Sequence, residues 1–195
     1  MTMPLDALGE ASDEALLVAY GNGDRAAARA LTVRLTPRIL GYAARVLADR
    51  AEAEDVVQEA MLRLWRIAPD WRQGEAQVTT WLYRVTVNLC TDRLRKSGRA
   101  VDLEAVPEPE DGQAAAVEGL IDQDRADALG AALELLPERQ RQAVILRHLE
   151  GLSNPEIAAV MDIGVEAVES LTARGKRALS RHLAGRRAEL GYGDD

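Results

Sequence analysis

The side chains in this chain that are able to do chemistry are spaced for gripping a polyanion. Residues 79 to 96 read Thr-Thr-Trp-Leu-Tyr-Arg-Val-Thr-Val-Asn-Leu-Cys-Thr-Asp-Arg-Leu-Arg-Lys. At 100° per residue, Arg84, Asn88, Thr91 and Arg95 share one stripe of a helix. Val78, Leu82, Val85 and Leu89 make an apolar stripe well around from it, and Trp81 stands at the edge of that stripe, near Asn88. Arg93, Lys96 and Arg99 extend the positive charge beyond. A basic, amide-bearing face edged by an indole ring is what a surface needs to neutralise phosphates and stack an unpaired base. The competing reading is a solvated helix face.

A second pattern occupies residues 51 to 67. Ala53, Val57, Ala60, Leu64 and Ile67 fall on one core stripe, while the opposite side carries Asp55, Glu59, Leu62 and Arg66 flanked by Gln58 and Trp65. Aliphatic and aromatic anchors inside a charged rim are the anatomy of a protein interface. The alternative is that Leu62 and Trp65 are covered by the chain's own loop around Trp71. A third pattern lies near the C-terminus. Ser153 and Glu156 stand three apart as a capping box for a short helix over 154 to 161, and the Asp162-Ile163-Gly164 turn leads to a longer helix. Its packing stripe is Val165, Val168, Thr172, Gly175 and Leu179, with Glu166, Ser170, Arg174, Arg177 and Arg181 opposite. This is the layout of a helix-turn-helix, whose second helix enters the major groove, or else of an arbitrary helical hairpin.

Bond-breaking chemistry has few candidates. His148 and His182 lie 34 residues apart, and the lone Cys90 is far from either, so neither a nucleophile with its base nor a metal ligand set is spaced in the chain. No metal, cofactor or disulfide is expected, and Cys90 reads as a small packed residue inside its helix. No run of 18 apolar residues occurs and Met-Thr-Met-Pro-Leu-Asp is no secretion signal, which predicts a cytoplasmic protein without membrane insertion.

The net charge of −8 argues against a nucleic-acid partner only until it is divided along the chain. Residues 1–100 hold 14 Lys and Arg against 13 Asp and Glu, residues 101–124 none against 8, and residues 125–195 10 against 11. The middle segment, with Pro107, Pro109 and Gly112 and no apolar periodicity, reads as an extended acidic linker between two domains. No segment alternates with period two, and the alanine-rich composition predicts an all-α fold: two small helical domains, 1–100 and 125–195, joined by the flexible linker 101–124. In the first domain, Ser12 starts a helix to Tyr20, a second begins at Asp24, and Thr36-Pro37 starts a third to about Leu47. Asp49 caps a helix to Ile67, and Pro69 to Gly74 forms a loop. In the second, Leu136-Pro137-Glu138 opens a helix through Leu149 that Gly151 ends.

In this order the motifs resemble a bacterial RNA polymerase sigma factor of the extracytoplasmic-function (ECF) group of the sigma-70 family, over nearly the whole chain. Asp55 to Trp65 resembles that family's polymerase-binding segment, Thr80 to Arg95 its promoter-melting and minus-10-reading segment, and Leu136 to Leu179 its minus-35-reading domain. The resemblance implies a non-catalytic protein that binds core RNA polymerase, directs it to promoter DNA, promotes opening of the duplex and is controlled by an anti-sigma factor. It assigns Asp55, Gln58, Glu59, Leu62 and Trp65 to the polymerase. Trp81, Arg84, Asn88, Arg93, Arg95 and Lys96 go to the minus-10 element, with the loop Trp71 to Gln77 cupping an extracted base. Glu166, Ala167, Ser170, Leu171, Arg174, Lys176, Arg177 and Arg181 go to the minus-35 element. The chain departs from the family pattern in having Glu169 and Leu171 where basic residues are frequent, Ala167 where threonine is usual, and Met61 and Val78 where phenylalanine is common. Without the polymerase-docking role, the second domain would be that of a helix-turn-helix regulator. The 24 linker residues reach at most about 80 Å when extended, against about 70 Å for two turns of B-DNA. Free in solution, their carboxylates are expected to cover the basic face of residues 84–99.

Overall fold

Polar side chains that accept the free amides of a first turn set where four of the helices begin. The structure, a computed structural model, describes residues 10–72, 74, 77–98 and 118–184. Ser12 Oγ accepts from Ala15 N at 3.2 Å and starts α1, Asp13–Gly21. Asp24 Oδ1 accepts from Ala26 N at 2.9 Å and starts α2, Arg25–Leu47; Asp49 Oδ1 accepts from Glu52 N at 3.0 Å and starts α3, Arg50–Ile67. A 3-10 turn, Ala68–Asp70, follows, and then α4, Val78–Lys96. Gln77 gives α4 no side-chain cap. Val78 N instead donates to Glu14 Oε1 of α1 at 3.2 Å, so a carboxylate from a neighbouring helix faces the positive end of α4.

The expected helix start at Thr36-Pro37 is not a boundary: α2 runs through Pro37 without a break. A mid-helix proline costs about 3 kcal/mol through its missing N–H and its clash with the carbonyl four residues earlier. Here that carbonyl belongs to Val33, which is 69% exposed, where water can reach the backbone, while Leu31, Leu35, Ile39 and Tyr42 tie both halves of α2 to one core.

In that core α2 packs on α3 and α4, and α3 on α4. From α3, Ala53, Val57, Ala60 and Leu64 are buried as their spacing predicts, with Ile67 at the margin. For α4 the expected stripe is corrected. The buried row is Val78, Leu82, Thr86, Cys90 and Leu94, widened by Tyr83 and Val87, whereas Val85 and Leu89 are only partly buried. Thr86 is tolerated at depth because its hydroxyl donates to Leu82 O at 2.8 Å and leaves no polar group unpaired.

The C-terminal half begins with α5, Glu118–Glu134, so residues 118–124, expected in the linker, are helical; residues 101–117 and Arg99 lie outside the described residues. α6, Glu138–Val144, runs on as a π turn, Ile145–Leu149, in which Glu150 N donates to Ile145 O at 3.0 Å, and Gly151 closes it at φ 75°. Ser153 caps α7, Asn154–Met161; Asp162 takes a left-handed conformation in the turn, and α8 follows, Val165–Ala184. Val168, Gly175 and Ala178 of α8 are buried, Thr172 and Leu179 partly so, and Val165 is 40% exposed at the first turn instead of leading the packing stripe.

The two halves lie against each other. α7 packs along α4, and α5 and α6 touch α2. The buried Arg141 donates from Nη1 to Val46 O at 3.0 Å, and Tyr83 OH donates to Glu150 Oε2 at 2.6 Å, with Arg45 Nη1 3.3 Å from Glu150 Oε1. Thr91 Oγ1 donates to Glu138 Oε1 at 2.6 Å, and Gln142 Nε2 donates to both of these oxygens at 2.9 Å. Tyr83 also meets Tyr42 edge to face at 5.9 Å and lies under the Arg38 guanidinium at 5.8 Å.

Gly175 sets the spacing of α6 and α8. A Cβ there would stand 2.5 Å from Val144 Cγ2 and 3.2 Å from Gln140 O. Gly175→Ala is therefore expected to destabilise the chain by about 1 to 2 kcal/mol, an overpacking cost larger than the helix-propensity gain, measured by urea unfolding followed by circular dichroism. An equal or higher midpoint would show that the contact relaxes.

Candidate nucleic-acid and polymerase-binding surfaces

Rotation of α4 about its buried row decides what its other side offers. Arg84, Asn88, Arg95 and Lys96 are exposed, while Arg93 and Trp81 are partly buried. Arg84 Nη2 lies 3.7 Å from Asp162 Oδ1, and Arg93 Nη1 lies 3.6 Å from Asp55 Oδ2 of α3. Arg93, Arg95 and Lys96 also occupy the last turn of α4, where positive charge balances the helix dipole whether or not a phosphate is present. Trp81 is no free platform: its ring meets that of Trp71 edge to face at 6.4 Å, and Trp71 Nε1 is buried without a hydrogen-bond partner. An incoming base must use the remaining edge of Trp81 or displace Trp71. Residues 73, 75 and 76 of the expected base-cupping loop lie outside the described residues.

On α3, Asp55, Gln58 and Leu62 are exposed, and Leu62, 45% exposed, is the aliphatic member that a partner could bury. Glu59 pairs with Arg63 one turn on at 2.9 Å, a surface pair of small energetic weight. Trp65 packs edge to face on Tyr20 of α1 at 4.9 Å, so it supports the face from beneath.

On α8, Glu166, Ala167, Ser170, Arg174, Lys176, Arg177 and Arg181 are all exposed, with Arg174 Nε donating to Ser170 O at 3.3 Å. Leu171 is the exception in that set, drawn partly against the core. Asn154 Nδ2 donates to Glu169 Oε1 at 3.4 Å and ties the start of α7 to the exposed side of α8. The capping box at the entry to α7 is closed on both sides: Ser153 Oγ accepts from Glu156 N at 3.4 Å, and Glu156 Oε2 accepts from Ser153 N at 2.7 Å and from Ser153 Oγ at 2.6 Å. The hydroxyl bond first, then the backbone bond, holds the Glu156 carboxyl below the ordinary carboxylate range. Burial pushes the Cys90 thiol up to about 12, against the pull of Arg93, so the side chain behaves as a packed apolar group.

Sequence reasoning missed the polar seam of Tyr83, Glu138, Arg141, Gln142 and Glu150. Each reads locally as core or as a solvated turn, and only the unexpected hydrophilicity of 138–142, of which 140 to 142 are buried, could have signalled a covered polar face. Among the described residues no helix is long and apolar enough to cross a membrane, and no three His, Cys, Asp or Glu side chains gather to hold a metal.

The Glu156 bonds make a testable link between cap and stability. A carboxyl whose folded value is depressed contributes stability that is present above its unfolded value and lost as pH falls through the folded one. Ser153→Ala should cost about 1 kcal/mol at neutral pH and raise the Glu156 titration midpoint, read by carboxyl NMR. An unmoved midpoint would mean that the cap does not hold the carboxylate.

Comparisons with known proteins join these surfaces. The family profile for sigma-70 region 2 matches residues 31–100, and that for sigma-70 region 4 matches residues 126–179. A helix-turn-helix regulator acting alone would have no use for the first of these. The chain is 36% identical over 151 residues, 75% of its length, to the ECF RNA polymerase sigma factor SigE of Mycolicibacterium smegmatis, and spans 58% of that relative. It is 30% identical over 182 residues to the ECF RNA polymerase sigma-E factor of Escherichia coli, covering 88% of this chain and 94% of the relative. In fold it is similar to CnrH, solved in complex with the cytosolic domain of CnrY, with a TM-score of 0.67 at 23% identity over 89% of this chain and 97% of that one. It is likewise similar in fold to the sigma factor RpoE of Bartonella quintana, solved with the anti-sigma factor NepR, with a TM-score of 0.61 at 23% identity over 78% of this chain and 94% of that one. With matches to both regions, in the order that the surfaces on α3, α4 and α8 occupy in the chain, this protein belongs to the ECF sigma factors of the sigma-70 family.

Proposed function

We propose that the chain joins core RNA polymerase through α3, receives the minus-10 element on α4 and the minus-35 element on α8, and so places polymerase at a promoter and helps open it. The carrying observation is that α3, α4 and α8 each leave a face exposed of the composition its task needs. These are an aliphatic anchor in a charged rim at Leu62, a cation and amide row at Arg84, Asn88 and Arg95, and a cationic row at Arg174, Arg177 and Arg181. The role is non-catalytic and its place of work is the cytoplasm, where the polymerase is. Extraction of a base costs roughly a few kcal/mol and stacking on an aromatic ring returns about 1 to 3 per base, so opening at α4 is close to balanced once phosphates are neutralised. The sigma factor of similar fold that was solved with the anti-sigma factor NepR supports a protein antagonist of the same kind for this chain.

The division of labour is separable by mutation. Asp55→Ala with Leu62→Ala should weaken binding to core polymerase by at least about tenfold, the scale of losing one interface anchor, while Asn88→Ala should leave core affinity intact and lower open-complex formation by a similar factor. Trp65 is unsuitable for this purpose because its ring supports α1. Run-off transcription with purified core on a genomic promoter library, with fluorescence anisotropy for core affinity, reads both effects. No stimulation of any promoter by the folded wild-type chain, or the reverse assignment of the two defects, would overturn the proposal.

A further inference from the structure

Charge changes sign along α8. From Val165 to Ala173 the helix carries Glu166 and Glu169 and no Lys or Arg, whereas Arg174, Lys176, Arg177 and Arg181 follow with no Asp or Glu up to Ala184. Glu166 sits in the first turn, where the helix dipole favours a carboxylate, but that field falls off within the turn and does little for Glu169. Both carboxylates are exposed, and in a helix-turn-helix the N-terminal end of the second helix is what meets base edges. There a carboxylate gains nothing from phosphates, which it repels. Nor does it gain from the N7 and O6 of guanine or the O4 of thymine, which like itself only accept hydrogen bonds. The groups it can use in the major groove are exocyclic amines, and its usual partner among them is cytosine N4.

We infer that Glu169 is a specificity-determining residue of α8 and selects a cytosine in the minus-35 element. Its carboxylate has one anchor: Asn154 Nδ2, at the first position of α7, donates to Oε1 at 3.4 Å. That bond uses one oxygen, leaves Oε2 to accept from cytosine N4, and makes Asn154 a positioning residue. The four cations further along α8 attract the phosphates of any sequence, and Glu169 withdraws part of that attraction wherever no amine faces its carboxylate. Discrimination therefore comes as much from repulsion at the wrong base as from the bond at the right one. An arginine at the same place would take guanine, so the acid inverts which member of a G·C pair the helix reads. This inference rests on the reading of α8 as the minus-35 surface.

The test uses holoenzyme assembled from core polymerase and the full chain, on a promoter it transcribes whose minus-35 element has been randomised; bound duplexes are selected and sequenced. Wild type should enrich cytosine at one position of one strand by at least about tenfold, the scale of one good base contact. Glu169→Gln should turn that same position to adenine, whose N6 and N7 a carboxamide reads, and Glu169→Arg should turn it to guanine. Asn154→Ala should keep cytosine and lower its enrichment; an enrichment left at the wild-type level would overturn the positioning role of Asn154. Loss of one negative charge can by itself raise the affinity of Glu169→Gln for every sequence, so the readout is the base profile and not total binding. A profile that Glu169→Gln and Glu169→Arg leave unchanged, even with a uniform gain in binding, would overturn the inference and leave α8 as the minus-35 reader. A wild-type holoenzyme indifferent to every position of the randomised element would overturn the reading of α8 itself.

Discussion

Burial of the row Val78, Leu82, Thr86, Cys90 and Leu94 fixes the rotation of α4, and through it which side chains water, DNA or the rest of the chain can reach. A helix packed on α2 and α3 has little freedom to turn, because interiors are close-packed and each of these positions fills a defined space. With that row down, Arg84, Asn88 and Arg95 must point outward, and Tyr83, Val87 and Thr91 must face the flank along which α7 lies. The exposed cation and amide stripe and the seam are thus two results of one packing decision.

Much of this was legible from local chemistry. Ser12, Asp24, Asp49 and Ser153 cap where their residue types say they should, because capping needs only the side chain and the next few amides. The readings that failed are those in which a distant partner outweighs a local preference. Pro37 ends helices in isolation, yet Leu35 and Ile39 are held by one core on either side of it. Val85 and Leu89 are more apolar than Thr86 and Cys90, but the Thr86 hydroxyl is satisfied within its own helix, and hydropathy does not register that bond. Residues 118–124 are acidic and looked extended, but they continue into the helix that carries Leu133 into the core. For the candidate surfaces, the exposed polar positions were readable from periodicity, whereas the neighbours of Trp65 and Trp81 were not: each ring meets a partner from another element. The seam was invisible because Arg45 and Glu150 are 105 residues apart and nothing near either one announces the other.

The seam mixes two kinds of contact, since buried apolar side chains of both halves belong to one cluster and hydrogen bonds and ion pairs join them besides. Loss of contact in an apolar core exposes surface at about 25 cal/mol per Å², whereas a hydrogen-bonded seam exchanges its partners for water at a net cost of only about 0.5 to 1.5 kcal/mol per bond. Contacts of the second kind suit two bodies that must meet and separate repeatedly, as interdomain surfaces do. Arg141 is the costly member, since burial lowers its tendency to hold charge and its Nε has no partner. Its single bond to Val46 O gives the seam an orientation more than a strength.

The π turn over Ile145–Leu149 acts as a one-residue shim. An α-helix advances 100° per residue, so continuing α6 in ordinary register would carry Glu150 about a quarter turn or more around the axis, away from Tyr83 and Arg45. Chain length here sets an angle. A homologue one residue shorter between Val144 and Gly151 could keep the same helices and the same reading surfaces, yet aim its carboxylate into solvent and leave its two halves with no latch. Such a difference would be silent in any comparison of residue types and visible only as a gap.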